Sequence, residues 1–518
     1  MPARTLPDLL DASSRQFPHR PAVVDSTGAA LTYAELQVQS DALAWFLNDR
    51  GVRPGDRVAL AIPKSLEAII SVFGIMKAGA AYVPMDSWGP VDRGRRILED
   101  SDVTAAIVNS RTASMVPAAS DLSLIAVDRM PDVARAVPFK DAIEAGTSHV
   151  LALHEPGDVA YIIFTSGSTG APKGAMITHA NALSFLGWCS SEFRPDETDR
   201  FANYSPLYFD ASVFDVYLSI KHGASVHLVA DELVKRPADL AAFIARRGLT
   251  FWLSTPSALT MLARFGDLDV HDCTSLKIVA FGGEVFPPRQ LRELKEKWGS
   301  AAFYNLYGPT ETTTACTFAR IPEEIPADRT APYPIGFPCS HCNAMLLDDH
   351  GEPVPAGEDG LLHISGPSVF AGYWNRPAET AASFVEQGGV RWYNTGDVAR
   401  WHPAEGYTYV GRKDGMVKRR GYRIEVGEIE QALYRHPSVA EAAVVAVSDA
   451  DSTVRIAAFL VWTGAAPSTV FLKTFCAKTL PAYMSPDLFI FLERLPRTST
   501  DKVDIQALKS QVVHASAG

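Results

Sequence analysis

Tyr161-Ile-Ile-Phe-Thr-Ser-Gly-Ser-Thr-Gly-Ala-Pro-Lys-Gly174 is the stretch on which the reading of this chain turns. An apolar strand runs into a loop of Gly, Ser and Thr that closes on a lysine. Gly167 and Gly170 let backbone N–H groups approach an anion, the hydroxyls of Thr165, Ser166, Ser168 and Thr169 add donors, and Lys173 supplies a charge. The combination reads as a phosphate cradle. It is not of the Walker type, because Pro172 rather than Gly precedes the lysine and Gly174 rather than Ser or Thr follows it. A flexible Ser/Gly loop would share the composition, but not the position at a strand end with a Pro-Lys-Gly exit.

The surrounding 518 residues suggest three or four folding units at roughly 100–200 residues each. Hydrophobic residues make up 47% and charged residues 21%, which excludes disorder, collagen and coiled coil as the main architecture. The net charge of −11 makes nucleic acid and anionic membrane poor partners, so a phosphate-bearing ligand needs a local basic or amide-rich site. Six cysteines are too few for a disulfide scaffold. No cationic segment followed by an apolar run stands at the front, and the uncharged stretch 68–76 is far below the roughly 18 residues of a membrane span. A cytoplasmic enzyme is the expectation. Cys339-Ser-His-Cys342 lacks a second ligand pair at metal spacing and reads as a surface turn with two reduced thiols.

Up to Arg412, β-rich runs alternate with helical patterns, as in 57–62 followed by 65–78 and 226–229 followed by 238–247. That alternation predicts an α/β fold, with sheets covered by helices, for a large N-terminal body at 1–412. Gly411-Arg-Lys-Asp-Gly415 is the clearest boundary, two glycines framing a charged tripeptide. Beyond it, 428–436 and 470–478 read as helices, and 439–447 and 455–462 as strands. This predicts a small α+β lid at 413–518 on a hinge, a layout for chemistry enclosed between two parts.

With these stretches in view, the chain resembles the adenylate-forming superfamily, and within it the amino-acid adenylation domains of nonribosomal peptide synthesis. The loop at 165–174 matches that family's Thr-Ser-Gly-(Ser/Thr)-Thr-Gly-x-Pro-Lys-Gly signature. Leu31-Thr-Tyr-Ala-Glu-Leu36, Lys77-Ala-Gly-Ala-Ala-Tyr-Val-Pro-Met-Asp86, Tyr307-Gly-Pro-Thr-Glu-Thr312, Tyr393-Asn-Thr-Gly-Asp397, the run from Gly411 to Glu425, Leu480-Pro-Ala-Tyr-Met-Ser-Pro486 and Thr500-Asp-Lys-Val-Asp504 follow in the family's order. The ordered set is very specific.

The resemblance implies attack of a substrate carboxylate on the α-phosphate of ATP, with Mg2+, followed by displacement of AMP by a thiol. Two anions must meet, so the site needs cations and oriented dipoles. By the same resemblance, Tyr307 and Asn305 contact adenine, Gly283, Glu284, Gly308 and Thr310 belong to the ATP site, Asp397 and Arg412 clamp the ribose, and Glu311 is the magnesium ligand. Lys173 and Lys502 are the catalytic lysines. Thr500-Asp501 stands before Lys502 where Asn-Gly is usual. Asp414 is the implied hinge, about which Lys502 leaves and the segment around Lys418 and Gly421 enters, facing a phosphopantetheine arm. The basic run from Arg412 to Arg423 would suit an acidic carrier protein.

An aspartate at the position of Asp210 implies pairing with a substrate amino group, and a carboxylate at the base of an apolar pocket calls for such a cation. A helix N-cap is the alternative for this residue. The other implied pocket positions are Ala211, Phe214, Leu253, Val279, Phe281, Leu306, Thr314 and Ala315, none charged, and the bulk of Phe281 should shorten or reshape the cavity. These point to a neutral, mostly aliphatic amino acid, α or β. The chain resembles most the freestanding members, D-alanine–carrier protein ligases and the β-amino-acid activators of macrolactam pathways. The expected partner is then a separate phosphopantetheinylated carrier protein, in natural-product biosynthesis. An acyl- or aryl-CoA ligase of the same superfamily and a nucleotide-binding regulator without turnover remain the alternatives.

Overall fold

The computed structural model describes residues 3–117, 121–130, 136–144, 154–166, 172–412, 416–448, 454–497 and 503–515. Gly167, Ser168, Thr169 and Gly170 of the cradle, the implied hinge Asp414 and Lys502 lie outside the described residues.

The expected alternation is present. The strand Arg57–Ala61 leads into the helix Leu66–Lys77, which Ser65 caps by accepting from the Ala68 amide. Ser225–Leu228 is likewise followed by Pro237–Arg247, which stops at Gly248 in the left-handed region. Arg57–Ala61 joins Ala81–Pro84, Ala105–Val108 and Val159–Thr165 in an eight-stranded sheet. A nine-stranded sheet runs from Phe337–Pro338 through Ala302–Tyr307, Ile278–Gly282, Phe251–Ser254 and Arg200–Asn203 to Pro21–Val24 and Ala30–Thr32. Its central strands are parallel and buried on both faces, which is why they read as continuous apolar runs. A five-stranded antiparallel sheet, with Asn343–Leu347, Asp359–Ser365 and Val390–His402, stands beside them.

The helix Ala211–Lys221 has every residue from Ser212 to Ile220 buried, the signature of a helix enclosed on all sides. Phe214 on it meets Phe193, Phe201 and Phe251, and the last two stack at 4.3 Å between centroids. These rings belong to one apolar cluster that takes in residues of both large sheets, such as Val58 and Val226.

From residue 416 onward the chain forms the expected small α+β unit. Val439–Ser448, Val454–Trp462 and Leu488–Phe491 make a three-stranded sheet with the helices Val426–Tyr434, Thr469–Cys476 and Ile505–Ala515. A two-stranded hairpin, Val417–Arg419 and Tyr422–Ile424, precedes them.

One expectation fails. Cys339 and Cys342 are free thiols but buried, not at the surface. Their turn is covered because His341 between them packs against Phe185 and Trp188, and Cys342 Sγ lies 3.1 Å from Ser368 Oγ. Among the described residues no helix is long and apolar enough to cross a membrane.

Because Phe251 is buried and stacked at the centre of the ring cluster, Phe251→Ala is expected to cost about 3–5 kcal/mol of stability. A thermal melt of the variant beside the parent checks this, and an unchanged midpoint would contradict the packing.

Candidate active site

The site forms where the parallel strands of the nine-stranded sheet end, the usual ligand position in such sheets. Ala302–Tyr307 runs into Gly308-Pro309, a short 3-10 turn at Thr310–Thr312, and then Thr313 and Thr314 at φ 59° and 71°. Two successive β-branched residues in the left-handed region are strained, at about 1–3 kcal/mol each. Hydrogen bonds offset that strain. Thr313 Oγ1 donates to Ser368 O at 2.7 Å, and Thr314 Oγ1 donates to Asp210 O at 2.8 Å. The reversal turns Glu311 inward and joins it to the segment carrying Asp210.

Glu311 is fully buried. Its Oε1 accepts from the Tyr373 hydroxyl at 2.7 Å and from Arg423 at 3.0 Å, while Oε2 has no partner among the described residues. Burial alone would raise this carboxyl, but Arg423 and the Tyr373 hydroxyl outweigh it and hold it below the ordinary value. The cradle strands meet the same tyrosine. Val159–Thr165 and Lys173–Thr178 are antiparallel neighbours with Thr165 opposite Lys173, so the glycine-rich loop joins two strands rather than a strand and a helix. Lys173 Nζ lies 5.4 Å from the Tyr373 ring centre.

Asp397 is nearly inaccessible, with one oxygen taken by the Tyr307 hydroxyl and the other by Arg412 at 2.8 Å. Tyr307, expected for adenine, and Asp397 and Arg412, expected for ribose, are therefore in one hydrogen-bonded group. Asn305 sits in the same strand as Tyr307 and donates its amide to Pro334 O at 2.9 Å.

Asp210 occupies the N-cap of Ala211–Lys221, but its side chain makes no capping bond. Burial pushes its carboxyl up to about 6, against an opposing hydrogen bond from Thr310. Phe214, Leu253, Leu306 and Ala315 belong to one cluster, with Ala211 packed on it. Val279 and Phe281 do not join them. Leu253 pairs with Ala280, so its neighbours Val279 and Phe281 point to the other face of the sheet. There they belong to the second cluster, and Phe281 meets Phe286 edge-on at 5.0 Å. Phe281 therefore packs across the sheet from Leu253 and Phe214, and the cavity-shortening role expected of it has no direct contact with that set to rest on.

The lid hairpin reaches into this region. The Gly421 amide donates to Glu284 Oε1 at 2.8 Å, and Glu284 also takes the Ser257 amide at 3.1 Å. Ser166 Oγ donates to Arg423 O at 2.9 Å. Lys418 Nζ stands 5.6 Å from the centre of the Tyr307 ring, the face expected for adenine. Gly421 has φ 79°, and a Cβ there would come within 2.3 Å of Thr255 Cγ2, so only glycine fits. Gly283, at φ 86°, is the residue that Gly421 approaches. Sequence reasoning missed Tyr373 and Arg423 as site residues. Arg423 lay within the basic run that was read for its overall charge, while Tyr373 had no motif to mark it.

A family profile described as AMP-binding enzyme matches residues 10–374, and one described as AMP-binding enzyme C-terminal domain matches 428–502. The chain belongs to the AMP-binding enzyme family. It is an adenylation enzyme with the adenylate-forming fold, and an ATP-dependent ligase. Among curated relatives, an L-proline–[L-prolyl-carrier protein] ligase of Pseudomonas fluorescens is 36% identical over 96% of this chain and 98% of its own length. A protein of the same name from Streptomyces coelicolor is 38% identical over 96% and 94%. Among solved structures, the Vibrio cholerae adenylation domain AlmE in complex with glycyl-adenosine-5'-phosphate has a TM-score of 0.84 at 25% identity, covering 99% of this chain and 98% of that one.

In this AMP-binding enzyme the turn after Tyr307 tolerates no side chain at Gly308, where a Cβ would lie 2.6 Å from Thr314 O and 2.8 Å from Ala315 Cα. Gly308→Ala is expected to displace the turn that carries Glu311 and to lower ATP–pyrophosphate exchange about 100-fold. Exchange at the parent level would show that the turn can relax without cost to the site.

Proposed function

We propose that the enzyme activates a small neutral amino acid as its aminoacyl-adenylate and passes the acyl group to the phosphopantetheine thiol of a separate carrier protein. Asp210 carries this reading: its buried carboxylate makes no capping bond, Lys418 beside it comes from the lid hairpin, and the implied pocket positions bring no charged group, so a free amine matches it. The full-length likeness to two L-proline–carrier protein ligases supports it and makes proline the first amino acid to test.

In the proposed first half-reaction a carboxylate oxygen of the amino acid attacks the α-phosphorus of ATP, and the bond to the β-phosphate oxygen breaks to release pyrophosphate. Tyr307 and Asn305 receive adenine, Asp397 and Arg412 the ribose, and Thr165, Ser166 and Lys173, with Gly167 to Gly170, the phosphates. Glu311 fits a divalent cation, since it is a hard carboxylate whose Oε2 has no partner among the described residues. It would hold Mg2+, which supplies positive charge beside the phosphate oxygens. Lys502 is assigned to the first step. In the second, the thiol sulfur attacks the acyl carbon and AMP leaves with the former bond pair.

The division into body and lid at 412/413, with Asp414 as hinge, belongs to this proposal. The hairpin position supports a lid set for the second step, with Lys418 and Gly421 at the site. The β-amino-acid alternative is part of the same test, because the Asp210 carboxylate accepts an amine on either carbon.

Exchange assays with proline, other small aliphatic α-amino acids, β-amino acids and simple carboxylic acids test the reading. Stimulation by amino acids is expected, and stimulation by simple acids alone would replace it with an acyl-CoA ligase. A carboxyl titrating near 6 loses its charged form as pH falls, so KM for the amino acid should rise about fourfold from pH 7.5 to 5.5. Asp210→Asn should remove that pH dependence and raise KM about 10- to 100-fold. Gly421→Ala should reduce thiol transfer from pre-formed adenylate far more than exchange, and Lys502→Ala the reverse. Equal losses in both half-reactions for both variants would contradict the two-pose division.

A further inference from the structure

We infer that Arg93 and Glu428 form a latch that holds the lid in its thiol-transfer pose, acting as positioning residues for the second half-reaction. The inference rests on the two-pose reading above and assigns a role to residues outside the nucleotide and amino-acid sites.

Arg93 lies on the body helix Val91–Ser101, and Glu428 lies in the first turn of the lid helix Val426–Tyr434. An Arg93 Nη1–Glu428 Oε1 ion pair joins them, with side-chain exposures of only 9% and 6%. A pair so far out of water is held by geometry and by neighbouring groups, and removing one partner leaves the other an uncompensated buried charge. The groups facing it come from both parts. Asp86 and Tyr483 stand near the guanidinium, and Arg96 and Arg435 near the carboxylate.

The asymmetry lies in what each partner keeps when the lid moves. Arg93 and Asp86 are both in the body and remain neighbours in any lid position. Glu428 travels with the lid and gives up the Arg93 contact. The ion pair therefore exists only in this lid position, and an interaction present in one of two states shifts the balance toward it. Among the described residues no contact joins the pair to the groups expected to hold ATP, so its loss leaves adenylation chemistry in place.

A packed path leads from the latch to the acyl end of the site. Tyr483, beside Arg93, stacks on Tyr422 of the hairpin at 3.8 Å and 18° between planes. Tyr422 meets Phe209 edge-on at 5.0 Å, and Phe209 immediately precedes Asp210. Setting Glu428 against Arg93 thus sets the aromatic wall next to the proposed amine-binding carboxylate. The same hairpin carries Gly421 and Arg423 to Glu284 and Glu311.

The test compares Arg93→Gln, Glu428→Gln and the double variant with the parent enzyme in two assays. One is amino-acid-dependent ATP–pyrophosphate exchange. The other is single-turnover transfer from pre-formed aminoacyl-adenylate to free pantetheine. Each single variant should keep exchange within about twofold and lose transfer about tenfold or more. The double variant should transfer no more slowly than the slower single, because the two side chains act as one unit. Retained exchange reports a folded body, so a general structural defect would show as loss in both assays and overturn the latch. Normal transfer in the single variants, or additive losses in the double, would also overturn it. A parent enzyme lacking amino-acid-dependent exchange would overturn the functional reading together with the latch, an outcome distinct from a parent that exchanges and variants that transfer normally.

Discussion

A fully buried carboxylate needs a cation beside it, and Glu311 imposes that requirement at the point where all parts of the structure meet. Its backbone oxygen accepts from the Phe370 amide at 2.9 Å, its Oε1 from Tyr373 and Arg423, and its turn is tied by Thr314 to the segment of Asp210. Tyr373 also pairs, through its strand, with the second strand of the cradle hairpin. The lid enters this network with a guanidinium. In the proposed cycle the same carboxylate would face Mg2+ when ATP is present and Arg423 when the lid hairpin is in place. The charge requirement stays constant while its source changes.

The architecture was legible because its signals are local. Ser65 before an apolar helical run, Gly248 after another, and buried strands reading as continuous apolar stretches specify their elements without knowledge of the partner strands. The motifs did the same for Tyr307, Glu311, Asp397 and Arg412, which the fold brings together from strands and turns of different sheets. What stayed hidden depends on contacts between distant segments. Tyr373 matters because its hydroxyl reaches a residue 62 positions away, and Arg93 because Glu428 lies 335 positions away. Neither distance leaves a mark on local composition. The buried Cys339–Cys342 turn was misread for the same reason, since its cover comes from the His179–Phe193 helix.

The pocket shows where alignment by motif stops short of geometry. The motif resemblance assigns Leu253, Val279 and Phe281 to one set, yet strand alternation sends Val279 and Phe281 to the opposite face from Leu253. Of the implied pocket positions, Phe214, Leu253, Leu306 and Ala315 share one apolar cluster on which Ala211 packs, and Thr314 bonds to the Asp210 backbone. Phe214 is held by three other rings, which leaves it little freedom to adapt.

The lid contacts divide into two kinds, and the division bears on how the enzyme would turn over. Lys418 stands over the Tyr307 ring, Gly421 uses Glu284, and Arg423 uses Glu311, so these three occupy groups expected to serve ATP. In the proposed cycle, nucleotide with its metal and the inserted hairpin would therefore compete for the same groups, and release of pyrophosphate would free part of what the lid needs. Arg93–Glu428 stands apart from that competition, since neither residue belongs to the nucleotide site. In that cycle, competing contacts would make the lid position responsive to the state of the nucleotide. An independent buried ion pair adds a constant bias toward transfer, and the proposed cycle requires that bias to be weaker than the gain from closing on ATP.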